Sequence, residues 1–407
     1  MKKFNKNIVV FVLAALFVGF GFSVRYVRIL TYRFTDLIFY YYKIEGIDAF
    51  DRFTSDIERL STENLRYHNE LMDLDSLKHL FLNTRLIQKE DVAVVKTVDN
   101  TLTESCARCS DECIDTSASI IQTLQVKAEE NGAYFLYIAA PTKNTVYSTP
   151  ENIENFSADN YARYIQTLRQ KGIPTLDLYD ELRKDNMLNL DTYFITDHHW
   201  TPETGFWATE KICSTLHDAY GFEYNEYYTD IENYNTEIYS NWFLGSMGKK
   251  VGRYFTVSGP DDITLITPKC ETNFTESQPL KGTERIGSFD ETVLDPHLLQ
   301  TKNHYGSRTY STYGGGDFRL QIIKNNLNPD GKKILIVRDS FACVVTPFLS
   351  LNASELHIID VRDFIPSDPI DVYDYVEELA PDYVLVLYSG TETPDQTSGK
   401  FDFSTKD

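Results

Sequence analysis

The sequence predicts an α/β fold, a parallel sheet flanked by helices, with an inserted β-rich segment and an N-terminal transmembrane helix. Three observations carry this. Apolar runs of strand length alternate with amphipathic stretches of helix length, the pattern of βαβ units. The alternation is interrupted between residues 219 and 330 by sequence rich in Tyr, Asn, Asp, Gly and Thr. An uncharged apolar run fills Ile8 to Val24.

The apolar run comes first. IVVFVLAALFVGFGFSV sits at the lower length limit for crossing a bilayer. Lys2, Lys3 and Lys6 precede it, and Phe22-Ser23-Val24-Arg25 offers no small-residue cleavage site. Residues 1–30 therefore read as a cytoplasmic tip and an uncleaved signal anchor, with the body outside the cytoplasm in a single-pass membrane protein. Residues 31–113 read as a stalk and lead-in helices, ending in a polar loop with Cys106, Cys109 and Cys113. That cluster has no second Cys or His pair at zinc-finger spacing, and a disulfide within it or to Cys270 stays open.

Residues 114–390 carry the alternation. Ile120–Glu130 is helical in period, and Ala133–Ala139 is a continuous apolar run suited to a strand buried on both faces. Residues 158–171 read as a helix, Pro174–Leu178 as a strand, and Thr201–His217 as a helix with Pro202 in its first turn. Within 219–330, Arg253–Val257 and Ile263–Ile266 are short β-like pieces. The pattern resumes with strands at Lys333–Val337, Glu355–Asp360 and Tyr383–Tyr388 and helices at Phe341–Ser350 and Val372–Leu379. Residues 391–407 read as a polar tail. With 42% hydrophobic and 14% aromatic residues in 407, a large core can be buried. The net charge of −21 repels phosphate backbones and argues against a nucleic-acid partner.

Two segments carry the candidate chemistry. KKILIVRDSFACVVTPFL is strand, Arg-Asp-Ser, helix, so Ser340 stands at the carboxyl end of a strand, where sites of open α/β sheets form. A helix beginning there offers N–H groups that can stabilise an oxyanion. The plainer alternative is that Asp339 or Ser340 caps the helix. The second segment is Thr196-Asp197-His198-His199-Trp200. A serine needs a base, usually a histidine held in one tautomer by a carboxylate. In extended chain, residues two apart share a side, so Asp197 and His199 would cooperate and His198 would point away. Asp-His-His could also ligate a metal, as in manganese phosphoesterases, but no further aspartate motif is placed for it. Palmitoyltransferases follow Asp-His-His with Cys, where this chain has Trp200. The expectation is a site with no metal and no cofactor.

TDHHWTPETGFWA, followed far downstream by a strand and RDSFA, resembles the DHHW family. More distantly it is similar to the alginate O-acetylation proteins, which have a permuted SGNH hydrolase-like fold. APTK (Ala140 to Lys143), GSMGKKVGRYF (Gly245 to Phe255), YGGGDF (Tyr313 to Phe318) and VTPFL are similar as well. The resemblance implies an SGNH hydrolase-like catalytic domain with Asp197 and His199 on the family's Asp-x-His pair and Ser340 on its nucleophile. The serine motif here reads Arg-Asp-Ser where SGNH enzymes commonly have Gly-Asp-Ser. The Ser340 N–H and Gly314 or Gly315 are the oxyanion candidates, and Arg253, Lys249 and Tyr313 the substrate-binding candidates. The resemblance further implies acetyl transfer to an exported polysaccharide, with a membrane-bound O-acyltransferase as acyl supplier. A carbohydrate acetylesterase and a non-catalytic glycan-binding protein are the alternatives.

Overall fold

The computed structural model describes residues 67–89, 92–362, 365, 367–389 and 399–405. The expected anchor at Ile8–Val24 and most of the stalk lie outside these residues. Among the described residues, no helix is long and apolar enough to cross a membrane.

After the helix His68–Phe81, β1 (Leu86–Lys89), β2 (Val92–Lys96) and β3 (Leu102–Glu104) form a small antiparallel sheet. The main sheet begins with β4 (Tyr134–Ala140) and β5 (Thr175–Asp177). A ribbon of β6 (Tyr234–Phe243) and β7 (Asp261–Pro268) follows. Then come β8 (Phe274–Gln278), β9 (Thr283–Gly287), β10 (Leu320–Asn325), β11 (Lys332–Arg338), β12 (Ala353–Ile359) and β13 (Tyr383–Ser389). The main sheet has eight strands in the order β5-β4-β13-β11-β12-β10-β8-β9.

The sheet is mixed rather than parallel throughout. From β5 to β12 the pairings are parallel, and β10, β8 and β9 extend that block antiparallel. These three extending strands come from the stretch 219–330, where polar composition masked them. Gln321, Glu276 and Asn325 are buried but hydrogen-bonded, so polar strands pack without orphaned groups.

The central strands read as unbroken apolar runs because both faces are covered. On one face, Leu136, Ile138, Ile334, Ile336, Leu385 and Leu387 pack with the helix Pro202–Tyr220 through Phe206, Ile212 and Leu216. On the other, Phe135, Tyr137, Leu335, Val337, Val384 and Val386 meet the helices Asp111–Glu130, Ser157–Gln170 and Val372–Leu379. This is the period-two signature of a doubly covered sheet.

Three expectations change. Arg253–Val257 forms turns, not a strand. The segment after β11 is a 3-10 turn, Ser340–Val344, and then the short helix Thr346–Ser350. The polar tail is in part core: Phe401 and Phe403 pack beside Tyr388, and Lys400 is buried. No disulfide joins the cysteines among the described residues.

Candidate functional site

The segment holding Asp197 is a tight reversal, not the extended chain assumed from its spacing. Tyr193 and Trp200 bridge antiparallel, and Phe194 N–H donates to His199 O at 3.2 Å. Asp197 and His199 still meet. His199 donates its backbone N–H to Asp197 Oδ1 at 3.0 Å, and its Nδ1 lies 2.6 Å from the same oxygen. The other carboxylate oxygen accepts the Ser246 N–H at 2.6 Å. Burial works against the charged form of Asp197, but both imidazoles and the Ser246 N–H outweigh it and hold the carboxyl well below its ordinary range. Gly245 makes this approach sterically available, since a Cβ there would lie 2.3 Å from Asp197 Cβ.

A second carboxylate shapes the turn. Asp261 accepts the N–H groups of Ile195 and Thr196 and the Thr196 hydroxyl. Beside it, the buried Lys143 donates to Leu102 O at 2.8 Å and Ile195 O at 3.1 Å. Burial raises the Asp261 carboxyl and lowers the Lys143 ammonium from their ordinary values. Lys143 is the lysine of the APTK stretch, so that motif serves as a brace for this turn.

Ser340 lies two residues past the end of β11, at the carboxyl end of the parallel block. Asp339 caps the 3-10 turn by accepting the Phe341 N–H at 2.9 Å, so the capping alternative holds for Asp339 while Ser340 is presented. The other Asp339 oxygen accepts the Ser389 N–H at 2.7 Å, the Ser389 hydroxyl at 2.8 Å and Lys400 Nζ at 2.6 Å. Burial opposes its ionisation, but Lys400, Arg362 and these hydrogen bonds hold the carboxyl well below its usual range. Ser340 Oγ lies 2.7 Å from His199 Nε2. Serine, imidazole and carboxylate are thus in line, each within hydrogen-bond reach.

The two turns are tied together. Trp200 is fully buried and donates its indole N–H to Phe341 O at 3.0 Å. Gly205 lets the helix Pro202–Tyr220 press on the Ser340 turn, where a Cβ would fall 2.1 Å from Val344 Cγ2. Tyr310 stacks on the His199 ring, centroids 4.0 Å apart and planes 13° apart. Nothing in the sequence patterning singled out Tyr310, Asp261 or Lys400, and Ser246 stood out only as part of GSMGKKVGRYF.

Several expected site residues have other duties. Tyr313 is fully buried, donating to Thr264 O and accepting the Ile266 N–H, so it is core and not a substrate contact. Gly314 gives its N–H to Val293 O at 3.1 Å, which commits that donor elsewhere than an oxyanion. Gly315 sits at φ 72°, consistent with a tight turn. The glycine loop instead seats Arg338, which donates to Gly316 O at 2.8 Å and pairs with Asp317. Asp360 and Arg362 complete this buried ionic cluster. Arginine in the Arg-Asp-Ser motif is therefore part of the frame. Lys249 donates to Ser307 O at 2.5 Å, and Arg253 Nη1 lies 3.3 Å from His304 Nδ1.

His198 does not turn away. Its Nδ1 lies 3.0 Å from Ser246 Oγ and 3.7 Å from Asp197 Oδ1, and its ring centroid is 3.8 Å from that of His199. The tight reversal, unlike a strand, keeps all three side chains on one side. Asp197, His198 and His199 offer donor atoms within 4.8 Å of one another, close enough to share an ion. The hydrogen bonds of His199 to Asp197 and to Ser340 occupy both its ring nitrogens and favour proton-transfer chemistry over ligation there.

The comparisons with known proteins accord with this geometry. Residues 102–230 match the SGNH hydrolase-like domain described for acetyltransferase AlgX. The match spans Asp197 and His199 and ends before Ser340. No curated protein sequence matches the chain. Bacillus cereus PatB1, in a structure with a sulfonyl adduct, is similar at a TM-score of 0.62 with 20% identity, over 79% of this chain and 99% of that one. A DHHW family protein from Eubacterium siraeum is similar at a TM-score of 0.57 with 20% identity, over 78% of this chain and 97% of that one. Both likenesses establish the fold.

Proposed function

We propose that this protein is an extracytoplasmic serine acyl-transfer enzyme, an O-acetyltransferase acting on a cell-surface or exported polysaccharide. The observation that carries the reading is the unbroken relay Asp197–His199–Ser340, with contacts of 2.6 and 2.7 Å. His199 takes the Ser340 proton, and Ser340 Oγ attacks the acyl carbonyl. The tetrahedral intermediate collapses to an acyl-enzyme as the leaving group takes that proton from His199. A sugar hydroxyl then gives its proton to His199 and attacks the ester, and Ser340 is released. Asp197 stays ionised and holds the imidazole in the tautomer this requires. The match to an acetyltransferase domain supports acetyl as the group transferred.

Acetyl-CoA is cytoplasmic, so a membrane-bound O-acyltransferase supplying the acyl group fits a body held outside by the Ile8–Val24 run. Labelled acetyl ester supplied with a polysaccharide acceptor tests the reading. Label should pass to the sugar with wild type and not with Ser340→Ala, and a sulfonyl fluoride should trap wild type alone. Release of free acetate alone would make the protein an esterase. Equal inertness of wild type and Ser340→Ala would end the enzymatic reading.

A further inference from the structure

A cavity of about 290 Å³ lies beside the relay, and its wall draws on segments that flank both the base and the serine. The Asp197 turn contributes His198, and the segment that donates to Asp197 contributes Ser246. The residue after Ser340, Phe341, is in the wall, and so is Ser389, which binds the Asp339 cap. The APTK segment adds Thr142 and Asn144, and β3 adds Glu104. The wall is mostly hydroxyl, amide and imidazole. Of its charged groups, Lys250 lies 3.3 Å from Glu104. Lys143, also in the wall, is buried, which lowers its ammonium, and it donates to the backbone carbonyls of Leu102 and Ile195.

From this we infer that the cavity is the acceptor subsite and that His198 is a positioning residue in it, holding an uncharged polyhydroxyl ring with one hydroxyl toward the acyl-enzyme. The inference rests on the acyl-transfer reading and deepens it. The side chain of His198 is 41% exposed and lines the cavity, although its neighbour His199 is buried. Its ring is fixed on two sides, by Ser246 Oγ at 3.0 Å and by the His199 ring. A ring so fixed presents a constant hydrogen-bonding edge to a ligand, at little further entropic cost. The cavity volume falls at or below the roughly 300–1,000 Å³ typical of drug-sized ligands, which suits one sugar ring and not a nucleotide-bearing donor. With Lys250 paired to Glu104 and Lys143 given to backbone carbonyls, the wall favours a neutral ring over a uronate, whose carboxylate would lose water without gaining an unengaged cation. Lys249 and Arg253 are not part of this wall.

The test compares transfer with hydrolysis in the full-length protein. The donor is p-nitrophenyl acetate, and the acceptors are a neutral chitopentaose and a polyuronic pentamer. Wild type should acetylate the neutral acceptor in preference to the acidic one. In His198→Gln the ratio of transfer to hydrolysis should fall about tenfold, the loss of one hydrogen bond to a bound ligand, and the acceptor KM should rise. Asn144→Ala, elsewhere in the wall, should lower the same ratio and stands in if His198→Gln does not fold. An unchanged ratio, or an equal fall of transfer and hydrolysis, overturns the subsite while the acyl-transfer reading survives. Preference for the acidic pentamer overturns the neutral-ring assignment. Free acetate alone from wild type overturns the acceptor subsite, and a wild type inert toward the donor overturns both readings.

Discussion

The turn that carries Asp197 and His199 and the turn that carries Ser340 are held by different forces. The first is tied by hydrogen bonds, some within the turn and others reaching it from Asp261, Ser246 and Lys143. Its organising carboxyl, Asp261, is pushed toward the neutral form by burial. The second is framed by buried ions from distant segments: Arg338 with Asp317 and Asp360, and Asp339 with Lys400. The base is therefore held by hydrogen bonds, and the serine by buried charge.

Substitutions within the relay should have the largest effect. His199→Ala should cost on the order of 10⁶-fold in kcat and Asp197→Asn about 10⁴-fold, measured on a small acetyl ester. A loss below about tenfold in either variant would detach the relay from the reaction. The ionic frame comes next. Lys400→Met leaves the buried Asp339 carboxylate without its cation and should cost about 3–5 kcal/mol in urea unfolding. Asp339→Asn in the same chain should recover part of that loss. Simple additivity in this cycle would show that the two charges do not depend on each other.

The base side should respond to crowding more than to charge. Gly245→Ala puts a methyl on the Asp197 backbone and should cost about 1–3 kcal/mol, with kcat falling more than stability alone explains. Equal activity at full folding would mean that the helix Ser246–Val251 need not hold Asp197.

Acid should act on the two turns with opposite sign. Asp339 has a depressed folded value, so its stabilisation is present above the ordinary carboxyl range and is lost as pH falls below about 4. Asp261 has a raised value, so the folded state takes its proton first and its contribution grows as pH falls from neutral toward about 4. Urea midpoints from pH 7 to pH 3 should show a flatter acid limb in Asp339→Asn, and loss of the mildly acidic gain in Asp261→Asn. Identical profiles in the two variants would erase the contrast.

The smallest effect is expected at Tyr310, whose hydroxyl is buried and finds no hydrogen-bond partner among the described residues. Tyr310→Phe keeps the stacking on His199 and removes that orphaned group, so stability should hold or rise by up to about 1 kcal/mol.

This contrast also explains what the sequence revealed. Asp197, His199 and Ser340 were legible because a local spacing and a strand-to-turn pattern mark them. The buried parallel strands were legible because cover on both faces forces apolar runs. Strands β8 to β10 were not, because Glu276 and Gln321 satisfy each other inside the sheet and leave no alternation to read. His198 was misplaced because period-two geometry applies to strands, and this segment reverses. Lys400 and Asp317 were missed because a charge that pairs far along the chain looks, in sequence, like any solvated residue. Lys249 and Arg253 were expected in the site for the mirror-image reason: a cation near a motif suggests a ligand contact, yet each has protein partners.

The packing of residues 399–405 sets an order of events during synthesis. Lys400 completes the cap beneath Ser340, and Phe401 and Phe403 close over Tyr388. A nascent chain that has released Asp197, His199 and Ser340 still lacks this closure until residue 400 has emerged. The cap beneath Ser340 is thus among the last contacts of the fold that synthesis can complete.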